Sequence, residues 1–497
     1  MSLMAETAYI LAIDQGTTST RGLLFETSGQ LVALAQREFP QSYPKPGWVE
    51  QDPLTIWQDV LVIAREVLAK APAPVAGIGI ANQRETTIIW ERASGASIYP
   101  AIVWQDRRTA EVCERLREQG VEALVRDRTG LLLDPYFSAT KIAWILNQVE
   151  GARARAERGE LAFGTIDSFL LWHLTKGLVH ATDATNAART LLFNIHVQEW
   201  DDELLRLFRI PKALLPRVED NSYLYGVTAP GLFEHDLPIA GLAGDQHAAL
   251  IGQGCLSEGL AKATYGTGCF LLLNQGETAP APAKGILTTL AYRIHGRPIY
   301  AAEGAIFVAG AALKWLRDKL HFFNDVTQTA ALAASLPDND GVYLVPGFAG
   351  LGAPHWDPLA RGLICGLTLD NGPLQIIRAA LESAAYQTHD LLAGMSSGVK
   401  TLQALRIDGG MAANDWFCQF LADILAVPIE RPQGLEATAL GAACLAGLTL
   451  GLFPNVAALE EAWQRGARFE PRMDETRRIR LLAGWRVAVS RTLVKTP

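Results

Sequence analysis

Apolar and polar positions divide the chain into short buried strands and one-sided helices. Tyr9-Ile10-Leu11-Ala12-Ile13 is an apolar, β-branched run that stops at Asp14 and gives way to Gln15-Gly16-Thr17-Thr18-Ser19-Thr20-Arg21. Strand-like segments follow at Leu23–Phe25, Gln30–Arg37 and Val75–Ala81. Before the last of these, Ile56, Val60, Ile63 and Val67 recur at the spacing of one buried helical face. The order is βββαβ, which predicts an α/β unit. Helical spacing continues to about residue 150, through Lys141–Leu146, and Ile239–Gly244 reads as a further strand ending in a carboxylate, Asp245. Later, Gly266-Thr267-Gly268 sits between two strand-like runs as a hairpin turn. Leu405-Arg406-Ile407 again stops at Asp408, before Gly409 and Gly410. In the helix after it, Trp416, Phe417, Phe420, Leu421, Ile424 and Leu425 mark one buried face. Ala437–Leu452 is long and apolar, but its Gly, Ala and Thr residues and the following Pro454 predict a closely packed buried helix. The Pro/Ala-rich Thr278–Ala283 reads as a loop.

Two strand-end aspartates each with a glycine one or two residues on, with a Gly-Thr-Gly hairpin opening the second half, suggest a duplicated α/β unit with a nucleotide between its halves. That layout resembles the actin, hexokinase and heat-shock chaperone ATPase superfamily. The expected fold class is therefore α/β, with two ribonuclease-H-like domains and an interdomain nucleotide cleft. The boundary falls near residue 252, giving domains 1–252 and 253–497.

Chemistry is suggested where strands end. Gly16 permits a tight turn, and Thr17, Thr18, Ser19 and Arg21 supply donors for an oxyanion, with Asp14 placed to hold magnesium. A plain β-turn uses the same residue types. Asp245, followed by Gln246 and His247, suits the carboxylate that takes a proton from an alcohol. Arg84-Glu85 offers a donor and an acceptor side by side, as a polyhydroxyl ligand requires, although such couples are usually surface ion pairs. The chain has no GxxxxGK[ST] loop, no GxGxxG after a strand and no HRD or DFG set, which argues against P-loop, dinucleotide and protein-kinase chemistry.

Composition narrows the class further. With 497 residues, 49% hydrophobic and 19% charged, the chain can bury large cores. A net charge of −8 without a basic block argues against nucleic-acid binding. Six cysteines without a CxxC pair read as reduced core thiols of a cytoplasmic protein. No basic-then-apolar leader opens the sequence, and no transmembrane segment is expected.

Longer motifs carry a family resemblance. The Asp14 turn, the Tyr265–Gly268 hairpin, the Asp408 turn and Pro346–Trp356 resemble the FGGY carbohydrate kinases. Asn82-Gln83-Arg84-Glu85-Thr86, Ile102–Thr109, Asp134–Lys141, Ala243–Gln246 and Thr264–Phe270 are similar to the branch of that family acting on glycerol. The resemblance implies ATP-dependent phosphorylation of glycerol with Mg²⁺, and a homodimer or homotetramer. It assigns Arg84, Glu85, Tyr136, Asp245 and Gln246 to the glycerol hydroxyls, with Trp104 and Phe270 as aromatic walls. Thr17, Thr18, Ser19, Arg21, Thr267 and Gly310 fall to the nucleotide phosphates, and Gly410 and Asn414 to the adenosine side. Asp245 is the implied base, and Asp14 and Asp245 the implied magnesium ligands, directly or through water. Two departures stand out. Lys314 occupies a position where relatives often carry Gln, and Thr228–His235 lacks the Gly-Gly-x-Arg pattern tied to fructose bisphosphate inhibition, with Leu232 in place of a phosphorylatable histidine.

Overall fold

The computed structural model describes residues 8–281, 285–348, 350–355, 357, 359–395, 402–434 and 436–493. Pro282 and Ala283 of the expected loop, and Ala349 and Trp356 of the Pro346–Trp356 motif, lie outside the described residues.

The first half is built on a six-stranded sheet. Its strands are β1 (Tyr9–Gln15), β2 (Ser19–Glu26), β3 (Leu31–Glu38), β4 (Val75–Asn82), β5 (Ser222–Val227) and β6 (Pro238–Gly244), in the order β5-β6-β4-β1-β2-β3. β1 runs antiparallel to β2 and parallel to β4, which is parallel to β6. The βββαβ expectation is met by α1 (Pro53–Leu68). Asp52 caps it by accepting from Leu54 and Thr55 N–H, Pro53 occupies its first turn, and Ile56, Val60, Ile63 and Val67 are buried.

The second half repeats the plan. β7 (Leu260–Tyr265), β8 (Cys269–Gly276), β9 (Leu287–Ile294), β10 (Arg297–Ile306), β11 (Ala404–Asp408), β12 (Ile429–Pro432) and β13 (Arg465–Phe469) form a seven-stranded sheet ordered β9-β10-β8-β7-β11-β12-β13. With β5, β9 and β13 set aside as additions, both sheets have one strand order, 3-2-1-4-5, with the last two strands parallel to the first. The Gly16–Thr18 turn and the Gly266-Thr267-Gly268 turn are thus equivalent hairpin tips. The second is closed by a 2.9 Å bond from Gly266 N–H to the Gly268 carbonyl.

Two sequence expectations need correcting. The stretch after β4 is not helical throughout. A strand at Ile88–Glu91 pairs with Leu161–Gly164, and Ala101–Ile102 pairs with Glu50–Gln51, before α2 (Ser138–Gln148). Asp245 also does not end a strand. β6 stops at Gly244, and Asp245 is the first residue of α3 (Asp245–Gly252), where a carboxylate is favoured by the helix dipole.

The late apolar segment is a buried helix, as expected. It packs on α3 and on β1, β4 and β6, so the six-stranded sheet is covered by α1 on one face and by Ala437–Thr449 on the other. The approach is backbone-to-backbone. A Cβ on Gly441 would lie 1.8 Å from the Ala248 carbonyl oxygen, and one on Gly79 of β4 would lie 2.0 Å from that of Ala442. Among the described residues no helix is long and apolar enough to cross a membrane.

Candidate active site

The ends of β4 and β6 deliver Arg84, Glu85 and Asp245 to one place. Behind them, Asn82 and Asn186 exchange amide hydrogen bonds of 3.0 and 2.9 Å, and Thr185 Oγ1 accepts from Gly244 N–H at 3.1 Å. The two strand ends therefore share one buried polar support.

Arg84 and Glu85 are not a surface pair, nor are they bonded to each other. Both are buried, and each has a different partner. Arg84 donates from its two terminal nitrogens to Glu303 Oε2 and Oε1 at 3.0 and 3.2 Å, and its Nε is ion-paired with Asp245 Oδ1 at 3.2 Å. Glu85 accepts from Arg189 Nε at 2.6 Å. Arg189 also donates to both oxygens of Glu303, at 2.8 and 3.2 Å. Burial raises the Glu85 carboxyl above the usual carboxylate range, against the pull of Arg189 and Arg84. For Glu303 the balance is reversed. Burial would raise it, but Arg189, Arg84 and Lys262 hold it below its ordinary value.

Glu85 also has a strained backbone, with φ 61°. Three donors converge on its carbonyl: Ser138 Oγ and Thr87 Oγ1 at 3.1 Å and Lys141 Nζ at 3.2 Å. Lys141 also reaches the Tyr136 carbonyl at 2.8 Å, and its burial pushes the ammonium down to about 7.

An aromatic wall stands beside this cluster. Trp104 meets Tyr136 and Phe270 edge-to-face, at centroid distances of 5.5 and 6.5 Å, and its Nε1 donates to Thr17 Oγ1 at 2.9 Å. Phe270 belongs to β8, so the wall spans both halves. Burial raises the Tyr136 phenol, and Glu85 adds to the effect. Gln246 is fixed by a residue of the second half. Lys262 of β7 donates to its Oε1 and to Thr264 Oγ1 at 3.0 Å. A lysine has no acceptor, so the Gln246 amide must present its NH₂ away from Lys262.

Asp14 is buried, and burial raises its carboxyl above the ordinary range, opposed by Arg21 and assisted by the nearby Asp245 and Glu436. Arg21 is bonded to Asp14 and, at 2.5 Å, to Glu436. Asp408 accepts from Gln253 Nε2 at 3.0 Å through one oxygen, while its other oxygen is buried without a partner. Among the described residues no group of three or more His, Cys, Asp or Glu side chains is arranged to hold a metal. The Asp14–Asp245 pair does fit magnesium, which keeps several waters and needs one or two carboxylates besides phosphate oxygens. Asp245 is near enough to raise the Asp14 carboxyl, and each of the two also holds an arginine, Arg21 on Asp14 and Arg84 on Asp245.

A separate cavity of about 360 Å³ gathers Thr267, Gly310, Gly410 and Asn414, with Lys314, Tyr265 and Met411. Gly310 opens the helix Gly310–Asp318, and Asn414 caps Asp415–Leu425 by accepting from Phe417 N–H. Lys314 lines this cavity, whereas Thr17, Thr18, Ser19 and Arg21 do not. The expected site thus falls into a buried polar cluster with an aromatic wall and a separate cavity in the second half. Thr17 joins the first through Trp104.

Two family models match most of the chain. Residues 9–252 match the model of the FGGY family of carbohydrate kinases, N-terminal domain, and residues 261–450 match that of its C-terminal domain. The chain belongs to the FGGY family of carbohydrate kinases. This FGGY kinase is similar to a glycerol kinase of Gluconobacter oxydans, 58% identical over 99% of this chain and 96% of that one. It is likewise similar to a glycerol kinase of Rhodospirillum centenum, 57% identical over 99% and 100%. Among solved structures, Plasmodium falciparum glycerol kinase with ADP superposes with a TM-score of 0.94 at 35% identity, covering 99% of both chains. A gluconate kinase from Lactobacillus acidophilus, at 23% identity and TM-score 0.88 over 98% of this chain and 97% of that one, shares the fold.

Four residues of the FGGY kinase's site carried no role in the sequence reading: Arg189, Glu303, Lys141 and Lys262. Each had a signal. Glu303 is a lone carboxylate in the apolar strand Tyr300-Ala301-Ala302-Glu303-Gly304-Ala305, and Lys262 a lone ammonium in Leu260-Ala261-Lys262-Ala263. A charge at an inward strand position is costly unless it is paired.

Proposed function

We propose that this FGGY kinase transfers the γ-phosphoryl group of ATP to a terminal hydroxyl of glycerol, giving sn-glycerol 3-phosphate and ADP. The observation that carries the reading is the charge-matched cluster of Arg84, Glu85 and Asp245 beside the Trp104–Tyr136–Phe270 wall. A neutral triol offers no charge to grip, so it needs paired donors and acceptors on one side and an apolar surface on the other.

Asp245 is the general base. Its side chain is 28% exposed, at the first turn of α3, while Arg84 fixes one of its oxygens. The attacking hydroxyl passes its proton to this carboxylate as its oxygen bonds to the γ-phosphorus, and the bond from phosphorus to the bridging oxygen breaks to release ADP. Gln246, Tyr136, Arg84 and Glu85 orient the triol. Thr17, Thr18, Ser19 and Arg21 of the first hairpin, with Thr267 and Gly310 of the second half, hold the phosphates, and Gly410 and Asn414 the adenosine side. Asp14 and Asp245 would hold Mg²⁺, which supplies charge neutralisation on the phosphates. The division into domains 1–252 and 253–497, self-association as a homodimer or homotetramer and a cytoplasmic location belong to the same reading. Six free cysteines support the location.

Asp245→Asn tests the assignment of the base. Turnover falls about 10²–10⁴-fold while MgATP still binds; near-normal turnover removes Asp245 from the mechanism. A substrate panel separates glycerol from the polyols and sugars of related kinases.

A further inference from the structure

The carboxylate that organises the polyol cluster comes from the other half of the molecule. Glu303 lies in β10, opposite Leu272 of β8 and Leu287 of β9, among apolar neighbours. It is buried, and its two oxygens receive four hydrogen bonds, two from Arg84 and two from Arg189. Both arginines belong to the first half. Arg84 lies close enough to Arg189 to disfavour its charge.

A buried ion pair is often replaceable by well-packed apolar side chains without loss of stability. This one differs in where the arginines lead. Arg84 Nε is paired with Asp245 Oδ1 at 3.2 Å, and Arg189 Nε donates to Glu85 Oε1 at 2.6 Å. Glu303 therefore stands at the root of two chains, one ending at the proposed base and one at a proposed hydroxyl acceptor. Without its charge the two guanidiniums repel and rotate apart, and each chain loses its aim. Using both terminal nitrogens of Arg84 on Glu303 also fixes the plane of the fork, so the N–H groups left over have a set direction.

We propose that Glu303 is a positioning residue of the polyol site, through which the second half sets the orientation of Arg84, Arg189, Glu85 and Asp245. It touches neither the reacting hydroxyl nor the phosphate, and this rests on the proposed glycerol kinase activity.

The test begins with the unmodified protein, because absence of glycerol-dependent turnover there overturns the functional reading and not the role of Glu303. Given turnover, Glu303→Gln raises the glycerol KM about tenfold or more, as expected when hydrogen bonds to charged groups are misaligned, while ADP affinity measured by calorimetry stays within about twofold. Discrimination between glycerol and 1,3-propanediol shrinks in the same variant, because a misaimed fork no longer rewards the extra hydroxyl. Glu303→Asp, which keeps the charge, recovers part of the loss. A variant with both Arg189→Gln and Glu303→Gln keeps the charge balance of the cluster, and it tests the proposal should Glu303→Gln fail to fold. Its glycerol KM rises above that of Arg189→Gln alone, because Arg84 has then also lost the carboxylate that holds its fork. A folded variant, single or double, with wild-type glycerol KM and wild-type discrimination overturns the proposal. So does a loss that falls equally on ADP affinity, which marks a merely structural role.

Discussion

Replacing Arg84 by alanine separates polyol recognition from nucleotide binding. The side chain makes two bonds to Glu303 and one ion pair with Asp245, and by the functional reading its remaining N–H groups face the triol. A hydrogen bond involving a charged group is worth about 1.5–3 kcal/mol, so its loss lowers kcat/KM for glycerol roughly ten- to 150-fold. Asp245 also loses its anchor, so part of the decrease appears in kcat. The fold survives, because Glu303 keeps both bonds to Arg189 at 2.8 and 3.2 Å and is not stranded. The void is lined by carboxylates and admits water, which limits destabilisation to about 1–3 kcal/mol. Arg84→Lys does not restore activity, since one ammonium cannot span both Glu303 oxygens and Asp245. The assay is steady-state kinetics with glycerol varied at saturating MgATP, beside calorimetric titration of ADP. ADP affinity stays near wild type, because Thr267, Gly310, Gly410 and Asn414 line a cavity that does not include Arg84. A folded Arg84→Ala with wild-type kcat/KM for glycerol would show that Arg84 does not bind the triol.

Two further outcomes follow from packing and charge. Gly441→Ala places a Cβ 1.8 Å from the Ala248 carbonyl, so denaturant titration should show a loss of about 1–3 kcal/mol or more, as for overpacked cores; unchanged stability would show that this helix is not held against α3. Lys141 titrates at about 7 when folded against 10.5 ordinarily, so between these values the unfolded chain binds a proton that the folded one lacks. Stability contributed at this position is therefore lowest below pH 7 and rises toward 10.5. The wild-type-minus-Lys141→Met difference in unfolding free energy should climb over that window, and a flat difference would contradict it.

Much of the fold was legible because its signals are local. Continuous apolar runs marked β1 and β4, one-sided spacing marked α1, and Gly-Thr turns marked both hairpin tips. The Gly/Ala content of Ala437–Thr449 anticipated a backbone-close contact, but not that the helix returns to the first sheet. Ile88–Glu91 was missed because its partner, Leu161–Gly164, lies some seventy residues away and neither strand exceeds four residues. The site shows the same division. Motifs placed Arg84, Glu85 and Asp245 together, but residue types alone suggested a surface ion pair at Arg84-Glu85. Their burial depends on Glu303 and Arg189, which are 219 and 104 residues away in sequence from the groups they hold. Asp245 looked like a strand end because a strand and the first turn of a helix share the same polar boundary.

The most direct test of the central claim is ADP release coupled to an optical readout, with MgATP and with or without glycerol, and product identified by mass. Glycerol is expected to switch on ADP release, with sn-glycerol 3-phosphate accumulating mole for mole with ADP. ATP turnover of equal rate without any alcohol, or ADP release driven by another polyol while glycerol stays unphosphorylated, would contradict it.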